Sequence, residues 1–210
     1  MFCTTYAYWL CYGGQPCFCP KRTTNSGKST LAGQLVKKLP NCMKICQDTY
    51  FLAPDDPRLE PIYIPELKHH NWEDYRSLEM DKMVNEVKQL KSRYEQDRGD
   101  NNMFLIVEGF SVFGWSPLAK LFDMKYFLSV DRDVCFERRK YRDYNPPDKP
   151  GYFEQVVWPM HLKHLNSIKD QEDIVYLDGN ETTSLDKNVS RILSDISRLT
   201  CSENITPSNL

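Results

Sequence analysis

Neither sign of charge dominates this sequence: 27 Lys and Arg stand against 29 Asp and Glu, a net of −2 over 210 residues. So even a balance excludes, by composition, the polybasic nucleic-acid binders and the acidic solvating tails. Long hydrophobic runs are missing as well. A membrane-spanning helix needs roughly 18 consecutive apolar residues, and the longest good run, Met103 to Val107, has the size of one buried strand. Histidine is scarce, with four residues. His161 and His164 have metal-ligand spacing on a helix, but no nearby cysteine or carboxylate completes a set, so both are expected at the surface. Eight cysteines fall short of a disulfide scaffold. Cys17 and Cys19 lack a second pair at zinc-finger distance, and unpaired thiols of a reducing compartment are expected. No basic n-region precedes the aromatic stretch Tyr6 to Tyr12, so no secretory leader is read there. The sequons at Asn180, Asn188 and Asn204 then read as chance matches, and a cytoplasmic location, with the nucleus as second compartment, is expected.

What is present describes a packed α/β protein. Hydrophobic residues make up 40% and aromatic residues 12%, which argues against disorder. Leu31, Ala32, Leu35, Val36 and Leu39 fall on one helical face, and Pro40 stops that helix. A short strand is expected at Met43 to Cys46, and a long surface loop over 52–72, where Pro54, Pro57, Pro61 and Pro65 punctuate the chain. Leu78 to Tyr94 has helical periodicity. Phe104 to Val107 suits a strand buried on both faces, and Tyr126 to Val130 and Ile174 to Leu177 read as further strands. Helices are expected over Arg132 to Arg142, over Tyr152 to Ile168 with an interruption near Pro159, and along Leu185 to Leu199. This alternation predicts a three-layer α/β/α sandwich around a parallel sheet.

The most informative local pattern is Thr24, Asn25, Ser26, Gly27, Lys28, Ser29 and Thr30 running into a helix. It has the G-K-[ST] tail of a phosphate-binding loop, whose backbone N–H groups and helix N-terminus hold phosphate oxygens. Lys28 would reach the β- and γ-phosphates, and the Ser29 hydroxyl would ligate Mg²⁺. The bland alternative is an ordinary capped helix start. The full pattern also demands glycine at position 22, where this chain has Arg22. The preceding segment carries Pro16 and Pro20, which do not suit a central strand.

From Thr24 to about Leu199 the chain resembles the nicotinamide riboside kinases, small P-loop nucleoside kinases related to uridine kinase. The resemblance rests on ordered segments: Thr24 to Thr30, Leu39 to Cys42, Gln47-Asp48, Val107 to Phe110, Arg138-Arg139, Tyr144 to Phe153, Val157 to Met160 and Val175 to Gly179. It implies a kinase domain over 23–200 with a lid at about 139–151, an atypical segment 1–22 and a tail 201–210. The implied reaction moves the γ-phosphate of Mg-ATP to the 5′-hydroxyl of nicotinamide riboside, giving nicotinamide mononucleotide for NAD biosynthesis. Nicotinic acid riboside is the second substrate it implies. The implied partner is thus a small nucleoside, with no nucleic acid and no membrane; the oligomeric state stays open.

The resemblance also assigns roles. Asp48 becomes the general base and a Mg²⁺ ligand together with Ser29, and Thr49, Tyr50 and Phe51 follow as substrate-binding positions. The location of Asp48 after a short strand supports this, since open α/β sheets bind ligands at their carboxyl edge. Glu108, at the end of a buried strand, needs a compensating partner such as Mg²⁺ or a substrate hydroxyl, or else a structural salt bridge. Asn25, Ser26, Gly27, Lys28, Ser29 and Thr30, with Arg138 and Arg142, are assigned to ATP, and Glu181 and Thr182 to its adenine. Arg139, Tyr144 and Asn145 are assigned to the nucleoside. Trp72 would stack on the cationic nicotinamide ring, and either Glu73 or Asp74 would take the ribose hydroxyls. Two rival readings stay open. Arg22 in place of the first glycine allows a catalytically impaired nucleoside-binding protein, and the kinship of the family with uridine kinase allows a uridine-type kinase. The abrupt change of composition at Thr23 also reads as the junction of an alternative exon.

Overall fold

The computed structural model describes residues 5–9, 27–96, 103–181 and 184–203, with no account of side chains at 5–9, 94–96 and 200–203. Arg22 and the rest of the segment before Gly27, apart from one strand, lie outside it, as do Asn25, Ser26 and Thr182. Strand β1 (Thr5–Trp9) precedes helix α1 (Lys28–Lys38) and strand β2 (Cys42–Cys46). Next come the two-residue strands β3 (Tyr63–Ile64) and β4 (His69–His70), then α2 (Met80–Gln96), β5 (Phe104–Gly109) and the single turn α3 (Ser116–Ala119). The chain ends through β6 (Met124–Ser129), α4 (Arg132–Lys140), α5 (Trp158–Ile168), β7 (Ile174–Asp178) and α6 (Ser184–Glu203).

The main sheet has the order β2-β5-β1-β6-β7. Alternation along its inner strands sorts the core onto two faces, because successive side chains point to opposite sides. Leu105, Val107 and Phe127 face Met83, Val84 and Val87 of α2. Phe104, Ile106, Tyr126 and Leu128 face Leu31 and Leu35 of α1 and Val189 and Ile192 of α6. The result is the expected three-layer sandwich, with one departure. The pairs β2–β5 and β6–β7 are parallel, but β1 lies between them antiparallel to both neighbours. A ladder's N–H and C=O groups are satisfied by a strand of either direction, so β1 supplies the pairing that β5 and β6 would otherwise lack. Its direction has a cost in layout. Thr5 pairs with Gly109 at the carboxyl edge and Trp9 with Leu105 further back, so β1 does not deliver the chain to the start of α1 by a direct strand-to-helix turn.

The segment 52–72 is not an extended surface loop. A short 3₁₀ turn at Pro57–Ile62 leads into the β3–β4 ladder, and another at Pro65–Leu67 connects its two strands. Pro57 and Pro65 open these turns, where a missing N–H costs nothing, and Leu59 and Ile62 are buried. With Trp72, Val130, Tyr152 and Phe153 they form a third apolar cluster. The interruption expected near Pro159 takes the form of one wide turn, Phe153–Val157, leading straight into α5. His161 and His164, expected at the surface, are both buried on α5. The His161 ring packs 5.0 Å from that of Trp158, and that of His164 lies 5.0 Å from Tyr75. Imidazole, uncharged, serves here as a flat packing group.

Two predictions follow. A Cβ at Gly109 would lie 2.4 Å from Gln47 Oε1 and 2.6 Å from Val112. Gly109→Ala should therefore cost about 1–3 kcal/mol, read as a fall in Tm of about 2–4 °C per kcal/mol. Burial, reinforced by His164 and Lys28, pushes His161 down to about 4 from its ordinary 6.5. Between those values the unfolded chain binds the proton and the folded chain does not, so this contribution, whole above pH 6.5, is lost as pH falls towards 4. His161→Phe should flatten the acid limb of a Tm-against-pH profile by up to about one proton's slope, roughly 1.4 kcal/mol per pH unit.

Candidate active site

The carboxyl edge of the sheet is held in register by one buried amide. Gln47 follows β2 directly and is fully buried. Its Oε1 accepts from the backbone N–H groups of Phe110 (2.9 Å) and Ser111 (3.2 Å), and its Nε2 donates to Ser111 Oγ at 3.0 Å. The ends of β2 and β5 are thereby tied together, which brings the loop bearing Asp48 beside the strand end bearing Glu108. Gly109 keeps the space this amide needs.

Glu108 is buried and has two partners. Ser29 Oγ donates to it at 2.8 Å, and Lys44 Nζ pairs with it at 3.1 Å. The first turn of α1 is thus fastened to the edge of the sheet. Gly27 caps that helix at φ 90°, in the left-handed region that glycine enters freely. Lys28 is buried at the helix start. The hydroxyl of Ser29 and the carboxylate of Glu108 offer adjacent oxygens, the donor type Mg²⁺ takes, and such sites use only one or two protein ligands beside substrate phosphates. Asp48 lies at the neighbouring strand end. These residues fit the ion.

A cavity of about 400 Å³ opens beside α1, lined by Gly27, Thr30, Arg138, Arg142 and Glu181 among others. Arg138 donates to the carbonyls of Gly179 (2.8 Å) and Asn180 (2.5 Å), fixing one wall. The loop after β7 is held by Asp178, which accepts from Ser184 Oγ at 2.7 Å and from the Asn180 N–H. Those hydrogen bonds keep the Asp178 carboxyl below its usual range. Arg142 Nη1 is buried and has no hydrogen-bond partner among the described residues. A guanidinium donor left so is an open position for an anion.

A second, smaller cavity of about 60 Å³ lies on the other side of α4's last turn. Asp48, Glu73, Arg139 and Asp148 line it, with Phe51, Trp72, Phe110, Tyr144, Asn145, Pro146 and Tyr152. Arg139 is its centre. The buried guanidinium contacts Asp148 at 2.6 Å and Glu73 at 3.6 Å, and lies 4.4 Å from the centre of the Tyr144 ring. Burial alone would lower the pKa of Arg139, but the two carboxylates outweigh it and hold the group firmly charged. Burial raises the Glu73 carboxyl, against the pull of Arg139. Tyr144 is pushed up to about 12, again by burial. Phe51 stacks on Phe110 at 6.0 Å and meets Trp72 edge-on at 5.8 Å. Tyr152 fastens this wall: its hydroxyl accepts from the Trp72 N–H at 2.9 Å and donates to the His70 carbonyl at 3.1 Å. The carbonyl of Glu73 accepts from His164 Nε2 at 2.8 Å.

The fold therefore gathers most of the expected residues into two adjoining places. Arg138 and Arg142 face one cavity and Arg139 the other. Three residues fall elsewhere. Thr49 turns its hydroxyl to the Cys46 carbonyl, and Tyr50 is buried in the core with its hydroxyl on Glu86. Neither lines the smaller recess, because a 3₁₀ turn presents only part of its circumference to one side. Asp74 points away as the cap of a short turn, paired with Arg76 at 2.8 Å, so Glu73 is the carboxylate in the cavity. Residues not singled out from the sequence include Gln47, Lys44, Phe110, Tyr141, Asp148 and Tyr152. Asp148 and Phe110 belong to the segments that carry the resemblance; Lys44 carries no signal beyond a cation in a short strand.

Comparison with known proteins agrees with this geometry. A family model described as an AAA domain matches residues 23–159. The chain is 40% identical to nicotinamide riboside kinase 1 of Rattus norvegicus, over 82% of this chain and 89% of the relative. It is 33% identical to nicotinamide riboside kinase 2 of Homo sapiens, over 82% and 77%. The similarity to a uridine kinase of Brevibacillus brevis is lower, 26% over 74% of this chain and 81% of that one. With an α/β sandwich, a G-K-S helix start and two adjoining cavities at the sheet edge, the chain belongs to the nicotinamide riboside kinase family.

Proposed function

We propose that this chain is an ATP-dependent kinase that phosphorylates the 5′-hydroxyl of nicotinamide riboside, with nicotinic acid riboside as a second substrate. The observation that carries the reading is the position of Asp48. It lines the aromatic recess that holds Arg139 and Glu73, and it stands one strand away from the Ser29–Glu108 pair. A hydroxyl seated in the recess and a phosphate seated at α1 would meet at Asp48. There the carboxylate accepts the hydroxyl proton as the 5′-oxygen bonds to the γ-phosphorus and the bond from that phosphorus to the β–γ bridging oxygen breaks, releasing ADP. Lys28, Arg138 and Arg142 bind the phosphates and offset the charge that develops on them. Ser29 and Asp48 would hold Mg²⁺, which would supply further neutralisation of the donor phosphates. Glu73 and Arg139 take the ribose hydroxyls, while Trp72 and Tyr144 flank the base. Residues 139–151 act as a lid over both ligands, within a kinase domain spanning 23–200 in a cytoplasmic or nuclear enzyme.

The recess sets three carboxylates, of Asp48, Glu73 and Asp148, against one guanidinium. A pyridinium nucleoside is attracted by that balance, whereas neutral uracil gains nothing from it, so the uridine reading is the weaker. The rival of a donor-impaired nucleoside binder draws on Arg22 and on the antiparallel β1. It predicts nucleoside binding without turnover in an assay of the chain with nicotinamide riboside and Mg-ATP. Turnover to the 5′-monophosphate is the expected result.

Two mutational tests follow. Asp48→Asn should lower kcat by about 10²–10⁴-fold, the usual worth of a general base, with the nucleoside KM changed far less; unchanged turnover would remove Asp48 from the chemistry. Glu73→Gln should raise the nucleoside KM, by about tenfold for a charged hydrogen-bond acceptor lost, while Asp74→Asn should leave it within twofold. The reverse pattern would reassign the sugar contact.

A further inference from the structure

The larger cavity contains a feature that the roles above leave unused. Tyr141 caps the C-terminus of α4, between the phosphate-facing Arg138 and Arg142, and its side chain lines the cavity while remaining 86% exposed. The other rings nearby are covered: Phe136 by the Lys140 ammonium at 4.4 Å, and Tyr144 by the Arg139 guanidinium at 4.4 Å. Among the described residues no ring or cation lies over Tyr141. The opposite wall is apolar, from Leu31, Leu128 and Leu185. The cavity thus joins the N-terminus of α1 and an unsatisfied guanidinium N–H of Arg142, both suited to phosphate, to an apolar wall and an uncovered aromatic face. At about 400 Å³ it lies in the range of small-molecule sites.

The geometry points to Tyr141 as the residue on which the base of the phosphate donor stacks, a determinant of donor affinity separate from the phosphate contacts. A nucleobase presents a π face that an aromatic side chain binds without reading its edges. Its burial would also remove from water a ring that the free protein leaves exposed. The inference rests on the donor-site reading of this cavity. It predicts that affinity for a nucleoside triphosphate divides into a phosphate part, held at α1 and Arg142, and a base part held at Tyr141. Purine donors, with the larger ring, gain more from that contact than pyrimidine donors.

The test is calorimetric titration of the full-length chain, without nucleoside, using Mg-ATP and Mg-tripolyphosphate as separate probes. Tyr141→Ala should weaken Mg-ATP about tenfold, or about 1.4 kcal/mol, and leave tripolyphosphate within twofold. Tyr141→Phe should match the wild type with both probes, since the ring and not the hydroxyl is at work. The preference for ATP over CTP should narrow in the alanine variant. Equal weakening of both probes would make Tyr141 a structural residue and overturn the inference. So would an ATP affinity unchanged by alanine, or a wild type that binds ATP no more tightly than tripolyphosphate. A wild type that binds neither probe would overturn the donor-site reading itself, and the inference with it.

Discussion

A buried guanidinium sits where four parts of this protein meet. Arg139 belongs to the last turn of α4, and it is surrounded by Glu73 from the segment after β4, by Asp148 and Tyr144 from the stretch after α4, and by Tyr152 ahead of α5. Burying a charge costs several kcal/mol unless its partners are well placed. Here two carboxylates and two aromatic faces provide that placement. Removing either carboxylate would leave the guanidinium buried with less compensation. A lysine would supply the charge but not the planar fork that reaches Asp148 through two nitrogens at 2.6 and 3.2 Å. The recess is therefore shaped by electrostatics as much as by packing.

The sheet edge solves the related problem of bringing separate strand ends together. Gln47 uses its amide on the backbone and side chain that follow β5, and Glu108 accepts from α1 and β2 at once. Such polar contacts are modest in net energy, yet they are directional. They fix the position of Asp48 relative to the helix that begins at Gly27, which apolar packing would leave free to slide.

Much of this was legible in the sequence, for identifiable reasons. Helical periodicity located α1, α2 and α6 because one face of each is buried against a sheet. The run before Glu108 marked a central strand because both its faces are covered. The G-K-S tripeptide stood out because it opens a helix, and Asp48 because it follows a short strand within a segment that carries the family resemblance. What sequence reasoning missed are contacts between distant segments. The packing of His161 and His164 into the core depends on Trp158 and Tyr75 closing over them, and neither spacing nor composition reports that. Prolines in 52–72 read as loop punctuation, but they start turns whose Leu59 and Ile62 complete a core cluster. Glu73 and Asp74 each offered a carboxylate; their partners separate them, Arg139 in the cavity for Glu73 and Arg76 outside it for Asp74. The direction of β1 was likewise closed to local reading, since a five-residue strand carries no mark of the way its neighbours run.

The wide turn ahead of α5 bears on how this part of the chain tolerates change in length. In Phe153–Val157 the N–H of Trp158 bonds to the carbonyl of Phe153, five residues back, so this turn holds one residue more than an α-helical turn would. The wide turn absorbs that residue, so Tyr152, which grips the β4 segment, and the Trp158–His164 face, which is packed into the core, stay nearly in helical phase. Deleting one residue there would let the turn close as plain α-helix with its flanks kept, whereas inserting one more would rotate everything before it by about 100° about the axis. Tyr152 would swing off Trp72 and His70. A single deletion should thus be absorbed in the five residues after Tyr152 and an insertion there poorly, while a change of length between Tyr144 and Asp148 would part Arg139 from its partners, a boundary for indels drawn by helix geometry and by one buried charge.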